Sequence, residues 1–121
     1  MIQYEVPGRA VPAVRMTQKS KWTNPQAQRY LTYKRDAGWY ARQATKAMLE
    51  GEIEVVIKVY LWRNLRSDAD NLAKSLLDSA NGICFKDDSQ VMKLTVEKIR
   101  VKKELEQRAE VTIIEREVKT A

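Results

Sequence analysis

The stretch from residue 66 to residue 92 reads RSDADNLAKSLLDSANGICFKDDSQVM, and the rest of the chain is organised around it. Asp68 and Asp70 open a segment whose apolar spacing predicts a short helix, and Asp87 and Asp88 follow the end of that helix. If the helix packs on a sheet, we expect its two ends to converge. Such a fold would bring carboxylates from both ends close together.

Carboxylates that lie close together need something to offset their repulsion. Two unit charges about 4 Å apart interact by roughly 4 kcal/mol at an effective dielectric constant of about 20. A retained proton, a Lys or Arg partner or a divalent cation can supply the offset. Because all the local ligands are oxygens, a hard divalent cation is the best fit.

Outward from this stretch, the hydrophobic pattern predicts strands where apolar and polar residues alternate, and helices where apolar residues recur every three to four positions. The predicted strands cover residues 2–6, 52–62, 91–101 and about 109–115, and the predicted helices run from about residue 30 to Gly51 and from Asp68 to about Ala80. Gly51 is expected to end the first helix, and residues 103–108 to form a hairpin between the last two strands. Residues 8–28 are expected to form a long loop, which in a compact domain is usually functional or mobile.

This order of elements predicts a single α+β domain over residues 1–121, with two layers in which two main helices pack on a mixed β-sheet. A chain of 121 residues can bury a real core without disulfides or metal staples. Neither a run of about 20 apolar residues nor a signal peptide is found, so we expect no membrane association and a cytoplasmic location.

The residue types that are missing restrict the chemistry. The chain has no His and one cysteine, Cys84, which excludes an internal disulfide framework, ordinary structural zinc sites, and Ser-His or Cys-His nucleophile pairs. Any catalysis must therefore use Asp, Glu, Lys, Tyr or a metal-bound water. Carboxylates are the most plentiful of these groups in the central stretch.

The excess of positive charge sits in the first part of the chain. Residues 1–50 carry nine Lys or Arg and three acids, while residues 51–121 carry thirteen of each. A basic half beside a carboxylate cluster indicates a polyanionic ligand, although a solubilising surface is an equally good explanation of the charge alone. The cations predicted to contact such a ligand are Arg9, Arg15, Lys19, Lys21 and Arg66. Trp22, in the same loop, could stack on a base but is more simply explained by packing.

Each acid of the central stretch also has a structural explanation. Asp68 could cap the helix, which is worth about 1 kcal/mol, and Asp70 could pair with Lys74 one turn later. Asp78 lies farther along the polar face and is expected to be a supporting residue. Adjacent acids in an extended segment point to opposite sides, so we expect at most one of Asp87 and Asp88 to join the others.

The spacing of these residues resembles that of the RusA-like endodeoxyribonucleases, which resolve Holliday junctions. In that family the motif is approximately Asp-x-Asp-Asn-x-x-Lys, then an Asp in the helix, Asn-Gly, and Asp-Asp-x-Gln-Val or Ile. The matching positions here are Asp68, Asp70, Asn71, Lys74, Asp78, Asn81, Gly82, Asp87, Asp88, Gln90 and Val91. An opening strand that ends in Pro7-Gly8 and leads into a basic segment is also similar.

The resemblance implies roles for individual residues. It implies that Asp68, Asp70 and Asp88 are catalytic and hold Mg²⁺, or alternatively Mn²⁺, and that Lys74 is an essential cation beside them. Asp87 and Asp78 become supporting residues. It further implies a homodimer, often encoded by prophages, whose two active sites cut opposed strands of a four-way DNA junction in recombination and repair. Two alternatives stay open: a non-catalytic protein that binds branched DNA, and a nuclease with the same site that acts on flaps or RNA.

Overall fold

Four strands and two helices make up the structure, a computed structural model that describes residues 1–19, 23–118 and 120–121. The strands are β1 (Ile2–Pro7), β2 (Ile53–Trp62), β3 (Val91–Val101) and β4 (Arg108–Glu115), and the helices are α1 (Pro25–Ala44) and α2 (Ala69–Ala80). Short 3-10 helices at Asp88–Gln90 and Glu104–Glu106 precede β3 and β4. The predicted α+β class, with a mixed sheet and two main helices, is confirmed.

The sheet has the strand order β1-β4-β2-β3. Strand β4 runs antiparallel to both of its neighbours, whereas β2 and β3 are parallel. Parallel neighbours need a crossover connection, and α2 is the helix of that crossover. The acid-rich stretch is therefore the connection between the two parallel strands, and its geometry follows from how α2 packs on the sheet.

The predicted hairpin between the last two strands is wrong, because β2 lies between β3 and β4. Alternate residues of β4, namely Ala109, Val111 and Ile113, are buried, whereas no residue of β3 is fully buried. A strand with a buried face belongs inside the sheet, and the exposed, charged β3 suits an edge. The connection passes the end of β2, where the Trp62 N–H donates to Gln107 Oε1 at 3.1 Å.

Helix α1 begins earlier and ends earlier than its apolar spacing predicts. Asn24 caps its start, since Asn24 Oδ1 accepts from the backbone N–H of residue 26 at 2.8 Å, and Pro25 occupies the first helical position. Its end lies at Ala44, so the predicted end at Gly51 is wrong. Thr45 leaves the helix in an extended conformation, and Gly51, with φ of 75°, instead makes a turn before β2.

The core lies between the two helices and one face of the sheet. Ile57 and Val59 of β2 are completely buried there, and Leu72 and Leu76 of α2 pack in the same cluster. Burying a side chain of this size contributes about 1.5–3 kcal/mol, so α2 is firmly held against the sheet. In the described parts of the chain, neither helix has the length and apolar character needed to cross a membrane.

Candidate active site

The start of α2 carries two carboxylates that accept few hydrogen bonds from the rest of the protein. Asp68 is the N-cap residue and is exposed, but its side chain accepts no capping hydrogen bond. Asp70, in the first turn, is also exposed, and its Oδ1 accepts from the adjacent Asn71 N–H at 3.0 Å. Capping was the structural explanation for Asp68, and the geometry does not support it. Both carboxylates are therefore accessible to a cation.

Lys74 lies one turn beyond Asp70 on α2 and is exposed. The spacing allows a surface ion pair between the two, but Lys74 forms no ion pair with any acid in the described residues. Four residues correspond to about 6 Å along the helix axis. An unpaired ammonium at that distance from a pair of acids suits an external anion such as phosphate.

The segment that leads into α2 is held by a side chain of β3. Lys98 Nζ donates to the carbonyl oxygen of Leu65 at 2.8 Å and to that of Ser67 at 3.0 Å. Hydrogen bonds from a charged donor are the stronger kind, so they restrain the backbone just before Asp68. Sequence reasoning missed Lys98, because a Lys in an edge strand is the ordinary choice for solvent exposure.

Arg9, a predicted DNA-binding residue, is exposed but forms several hydrogen bonds within the protein. Its guanidinium donates to the carbonyl oxygen of Trp62 at 3.0 Å, to Gln107 Oε1 at 2.7 Å, and to the carbonyl oxygen of Asn64. These bonds join the loop after β1 to the end of β2. They give Arg9 a structural role, and its contact with DNA stays a prediction.

Asp78 and Asp88 lie near each other at the far end of α2. Asp78 Oδ2 accepts from the Tyr30 hydroxyl at 2.7 Å. Burial raises the pKa of Asp88, and the charges of Asp78 and Asp87 raise it further. Asp88 therefore lies close enough to Asp78 for that charge to disfavour its ionised form.

Asp87 and Asp88 have different surroundings although they are adjacent. Asp87 caps the 3-10 helix, and the hydroxyl and backbone N–H of Ser89 lower the pKa of its carboxyl group. Gln90 completes this turn: its Oε1 accepts from the N–H groups of Lys86 and Asp87, and its Nε2 donates to the carbonyl oxygens of residues 49 and 51. The turn thus uses Asp87 as a structural group and leaves Asp88 without a hydrogen-bond donor among the described residues.

A single chain does not gather the three predicted metal ligands. Asp70 and Asp78 are eight residues apart on one straight helix, which is about 12 Å along its axis, and Asp88 lies at the Asp78 end. No group of three or more acids, Cys or His in the described part of the chain could hold a metal ion. The expected convergence of the two helix ends therefore does not occur within one chain. The set of Asp68, Asp70 and Asp88 stays a prediction.

A pocket of about 360 Å³ opens beside Asp68. One wall is the apolar segment 11–14, which is tied to α2 by a 2.9 Å hydrogen bond from the Ala13 N–H to the carbonyl oxygen of Asn71. The opposite side carries Arg29 and Arg66. Two guanidinium groups next to an accessible carboxylate suit a phosphodiester, because Arg binds phosphate oxygens in pairs.

Arg66 lines this pocket and stays a predicted DNA-binding residue, and Arg29 is a further candidate. The sequence had shown Arg29 only as one of several cations on the polar face of a helix, and nothing in the pattern distinguished it from the others. Arg15 and Lys19 are exposed in the loop before α1 and remain predicted DNA-binding residues. Lys21 and Trp22 lie outside the described residues.

Comparison with known proteins identifies a family. The family model described as endodeoxyribonuclease RusA matches residues 5–114, which include both helices, all of β2 and β3, the second half of β1 and all but the last residue of β4. No curated protein matches the chain. The match covers most of the 121 residues, including the whole stretch from 66 to 92. The chain therefore belongs to the endodeoxyribonuclease RusA family, and the expected nuclease class is confirmed at the level of the family.

Proposed function

We propose that this protein is a Mg²⁺-dependent, structure-specific endodeoxyribonuclease that resolves four-way DNA junctions by paired hydrolysis of phosphodiester bonds. Membership of the RusA family supports the nuclease activity. The observation that carries the proposal is the start of α2, where Asp68 and Asp70 present exposed carboxylates next to a pocket lined by Arg29 and Arg66. A DNA substrate agrees with the cytoplasmic location expected from the sequence.

The donor atoms at the start of α2 are of the kind that Mg²⁺ prefers. This ion is usually held by one or two carboxylates and completes its octahedral shell with water and substrate phosphate. Asp68 and Asp70 could supply such carboxylates, with Asp88 as the third predicted ligand, and Mn²⁺ accepts similar oxygen ligands. When bound, the ion would supply an activated water and neutralise charge on the phosphate.

The side chains around these acids have roles that do not depend on the metal. Arg29 and Arg66 would bind the phosphodiester in the pocket, and Lys74 would offset the negative charge that develops during hydrolysis. Lys98 would keep the backbone before Asp68 in place. Holding the phosphate and the acids in a fixed geometry lowers the barrier, because orientation is then established before the reaction.

We further propose that the active enzyme is a homodimer. Two opposed cuts in a four-way junction need two sites related by a two-fold axis. A second copy would also give Asp88 a way to act with Asp68 and Asp70, since one chain keeps the two ends of α2 apart. In this arrangement Asp88 of one chain completes the ligand set at the start of α2 in the other.

A non-catalytic protein that binds branched DNA is the second candidate. The observation in its favour is that the described part of a single chain contains no complete metal site. The third possibility, a nuclease of the same site acting on flaps or RNA, differs only in substrate. The choice of substrate depends on the basic loop and the assembly, because hydrolysis of the phosphodiester itself carries no sequence or shape information.

The deciding experiment compares cleavage of a labelled synthetic four-way junction with cleavage of a linear duplex, with Mg²⁺, with Mn²⁺ and without metal. We expect paired, symmetric cuts in the junction only, and only with metal. Asp70→Asn should lower the cleavage rate more than about 100-fold while junction affinity stays nearly unchanged, because removing a ligand affects the reaction more than the encounter.

Glu104→Gln is a matched control for this variant. It makes the same carboxylate-to-amide change at an exposed acid of the 3-10 helix before β4, away from the pocket beside Asp68, and should leave cleavage unaffected. Junction binding without cutting under every metal condition would favour the non-catalytic candidate. Metal-dependent cutting of flaps or RNA but not of junctions would favour the third.

A further inference from the structure

A groove of about 630 Å³ runs between α1 and the end of α2, away from the start of α2 where Asp68 and Asp70 lie. The helices approach closely at its floor: a Cβ atom added at Gly38 would lie 3.4 Å from the carbonyl oxygen of Ser79 and 3.5 Å from Ile83 Cδ1. These are ordinary van der Waals distances, so α1 is in contact with α2 and with the residues just after it at the floor of the groove. Its outer wall is the Trp39 side chain, on α1.

Trp39 is a large aromatic side chain that the fold leaves largely uncovered. It is 54% exposed, whereas its neighbour Tyr40 packs against the core. The two rings meet edge to face at 5.0 Å between centroids and 87° between planes, which restrains the indole. An indole held at the edge of a groove, with more than half of its surface in solvent, can stack on a flat partner.

The cations of the groove distinguish it from an ordinary apolar patch. Lys34 and Arg42 line it and form no ion pair with any described acid. Three further charged residues line the groove: Asp36 is paired with Arg35, and the carboxylate of Asp78 accepts the Tyr30 hydroxyl. Three cations against two acids give the lining a net positive charge.

We propose that this groove binds an unpaired stretch of DNA strand, with a base stacked on Trp39 and backbone phosphates at Lys34 and Arg42. Aromatic stacking and phosphate contacts are the two parts of a single-strand binding surface, and stacking needs a base that is not enclosed in a duplex. The inference deepens the proposed function, on which it rests for the substrate class. Strands that lose their pairing near a branch point would supply such bases.

The test measures binding of a fluorescent single-stranded oligothymidine in buffer with EDTA, so that cleavage plays no part. We expect Trp39→Ala to weaken binding by about tenfold with an unchanged salt dependence, because a stacked base is lost and no phosphate contact is. The double variant Lys34→Gln, Arg42→Gln should instead flatten the plot of log K against log salt by about 1.4, since each lost phosphate contact on a single strand contributes about 0.7.

Lys46→Gln is the matched control for the charge changes, because Lys46 is exposed just beyond the end of α1 and does not line the groove. The salt dependence of oligonucleotide binding by the Lys46→Gln protein should equal that of the wild type. Wild-type protein that does not bind the oligonucleotide, or variants that bind it like the wild type, would overturn the proposal. A Trp39→Ala chain that binds DNA normally but sediments as a smaller species would also overturn it, and would assign the groove to a protein interface.

These outcomes are separate from those of the proposed function. If the Trp39→Ala protein cleaves junctions normally and binds the oligonucleotide as the wild type does, the groove proposal is wrong and the proposed nuclease activity stands. If the wild-type protein cleaves no junction but its groove binds single strands, the protein binds DNA without cutting it. Circular dichroism of each variant should match the wild type, since all three side chains are exposed.

Discussion

At the scale of single residues, the adjacent side chains Asp87 and Asp88 are chemically identical but have pKa values shifted in opposite directions. Ser89 donates hydrogen bonds to Asp87 and lowers the pKa of that carboxyl group, while burial and the charges of Asp78 and Asp87 raise the pKa of Asp88. No residue pattern distinguished the pair, and only the family resemblance favoured Asp88. The hydrogen bonds of the turn show that Asp87 has a structural role, and the choice of Asp88 as a catalytic residue stays a prediction.

Replacing Asp88 should therefore have opposite effects on stability and activity. An acid whose pKa is raised by folding costs stability wherever it is ionised, and the cost vanishes below the unfolded pKa of 3.8. In metal-free buffer, Asp88→Asn should unfold at a higher temperature than the wild type at pH 7, with the difference disappearing as the pH falls below about 4. Its junction cleavage should be lost at the same time.

Thermal unfolding followed by circular dichroism between pH 3 and pH 7 would measure this effect. Asp87→Asn is the control, because its effect on stability should be opposite. An acid with a lowered pKa stabilises the fold when ionised and loses that contribution as the pH falls through the folded pKa. An Asp88→Asn protein that is less stable than the wild type at pH 7 would contradict the prediction.

At the scale of elements, the hydrophobic pattern predicted where strands and helices lie but not how they pair. Alternating apolar and polar residues predicted β2 at 52–62, and apolar residues every three to four positions predicted α2. Both predictions agree with the observed bounds to within one residue. The hairpin was wrong because pairing depends on which strand has a buried face, and the end of α1 was wrong because Ala44 is followed by a cap at Thr45 that spacing alone does not reveal.

Lys98 is the contact between elements with the clearest expected effect. Its ammonium joins β3 to the carbonyl oxygens of Leu65 and Ser67, just before the acids of α2. Lys98→Met should lower the free energy of unfolding by about 1–2 kcal/mol, because hydrogen bonds from a charged group are lost. It should reduce the cleavage rate by more than the affinity for the junction, since Asp68 and Arg66 lose their fixed position while Arg29 and Lys74 keep theirs.

Urea unfolding and single-turnover cleavage would separate these two effects. Lys93→Met is a suitable control, because Lys93 is an exposed residue of the same strand whose surface ion pair with Glu54, at 3.7 Å, contributes little. A Lys98→Met protein that is destabilised but cleaves at the wild-type rate would limit Lys98 to a role in stability.

At the scale of the whole molecule, the proposed activity requires acids from both ends of α2 to act together. The helix separates Asp70 from Asp78 by about 12 Å. If a homodimer completes each site from two chains, inactive Asp70→Asn and Asp88→Asn proteins should restore activity when mixed and allowed to exchange subunits. Each mixed dimer would then contain one intact site and one site that lacks both acids.

The cleavage product of the mixed dimers distinguishes sites shared between two chains from sites built within one chain. A single intact site per dimer should nick the junction on one strand without the opposed cut, so nicked junctions should accumulate instead of resolved duplexes. Gel analysis of labelled strands would show them. Mixtures that remain inactive after proven subunit exchange would mean that each site takes both acids from the same chain.

The sequence by itself determined the chemistry available to this protein and the elements that carry it. The absence of His, the single Cys84 and the spacing of the acids limit the site to carboxylates and cations, and those are properties of residue type and order. The family follows from the same order of residues, because the RusA match covers residues 5–114. None of this depends on how the chain is packed.

Only the tertiary structure decided which of these side chains are free to act. The Arg9 guanidinium is hydrogen-bonded to the end of β2, while Arg29 and Arg66 line a pocket. Asp87 caps a turn, whereas Asp88 accepts no hydrogen bond from the described residues. The rigid length of α2 likewise keeps apart acids that a linear motif places in one group. The reason is physical: hydrogen bonds, burial and distance depend on contacts between residues far apart in the chain, which spacing along the sequence does not specify.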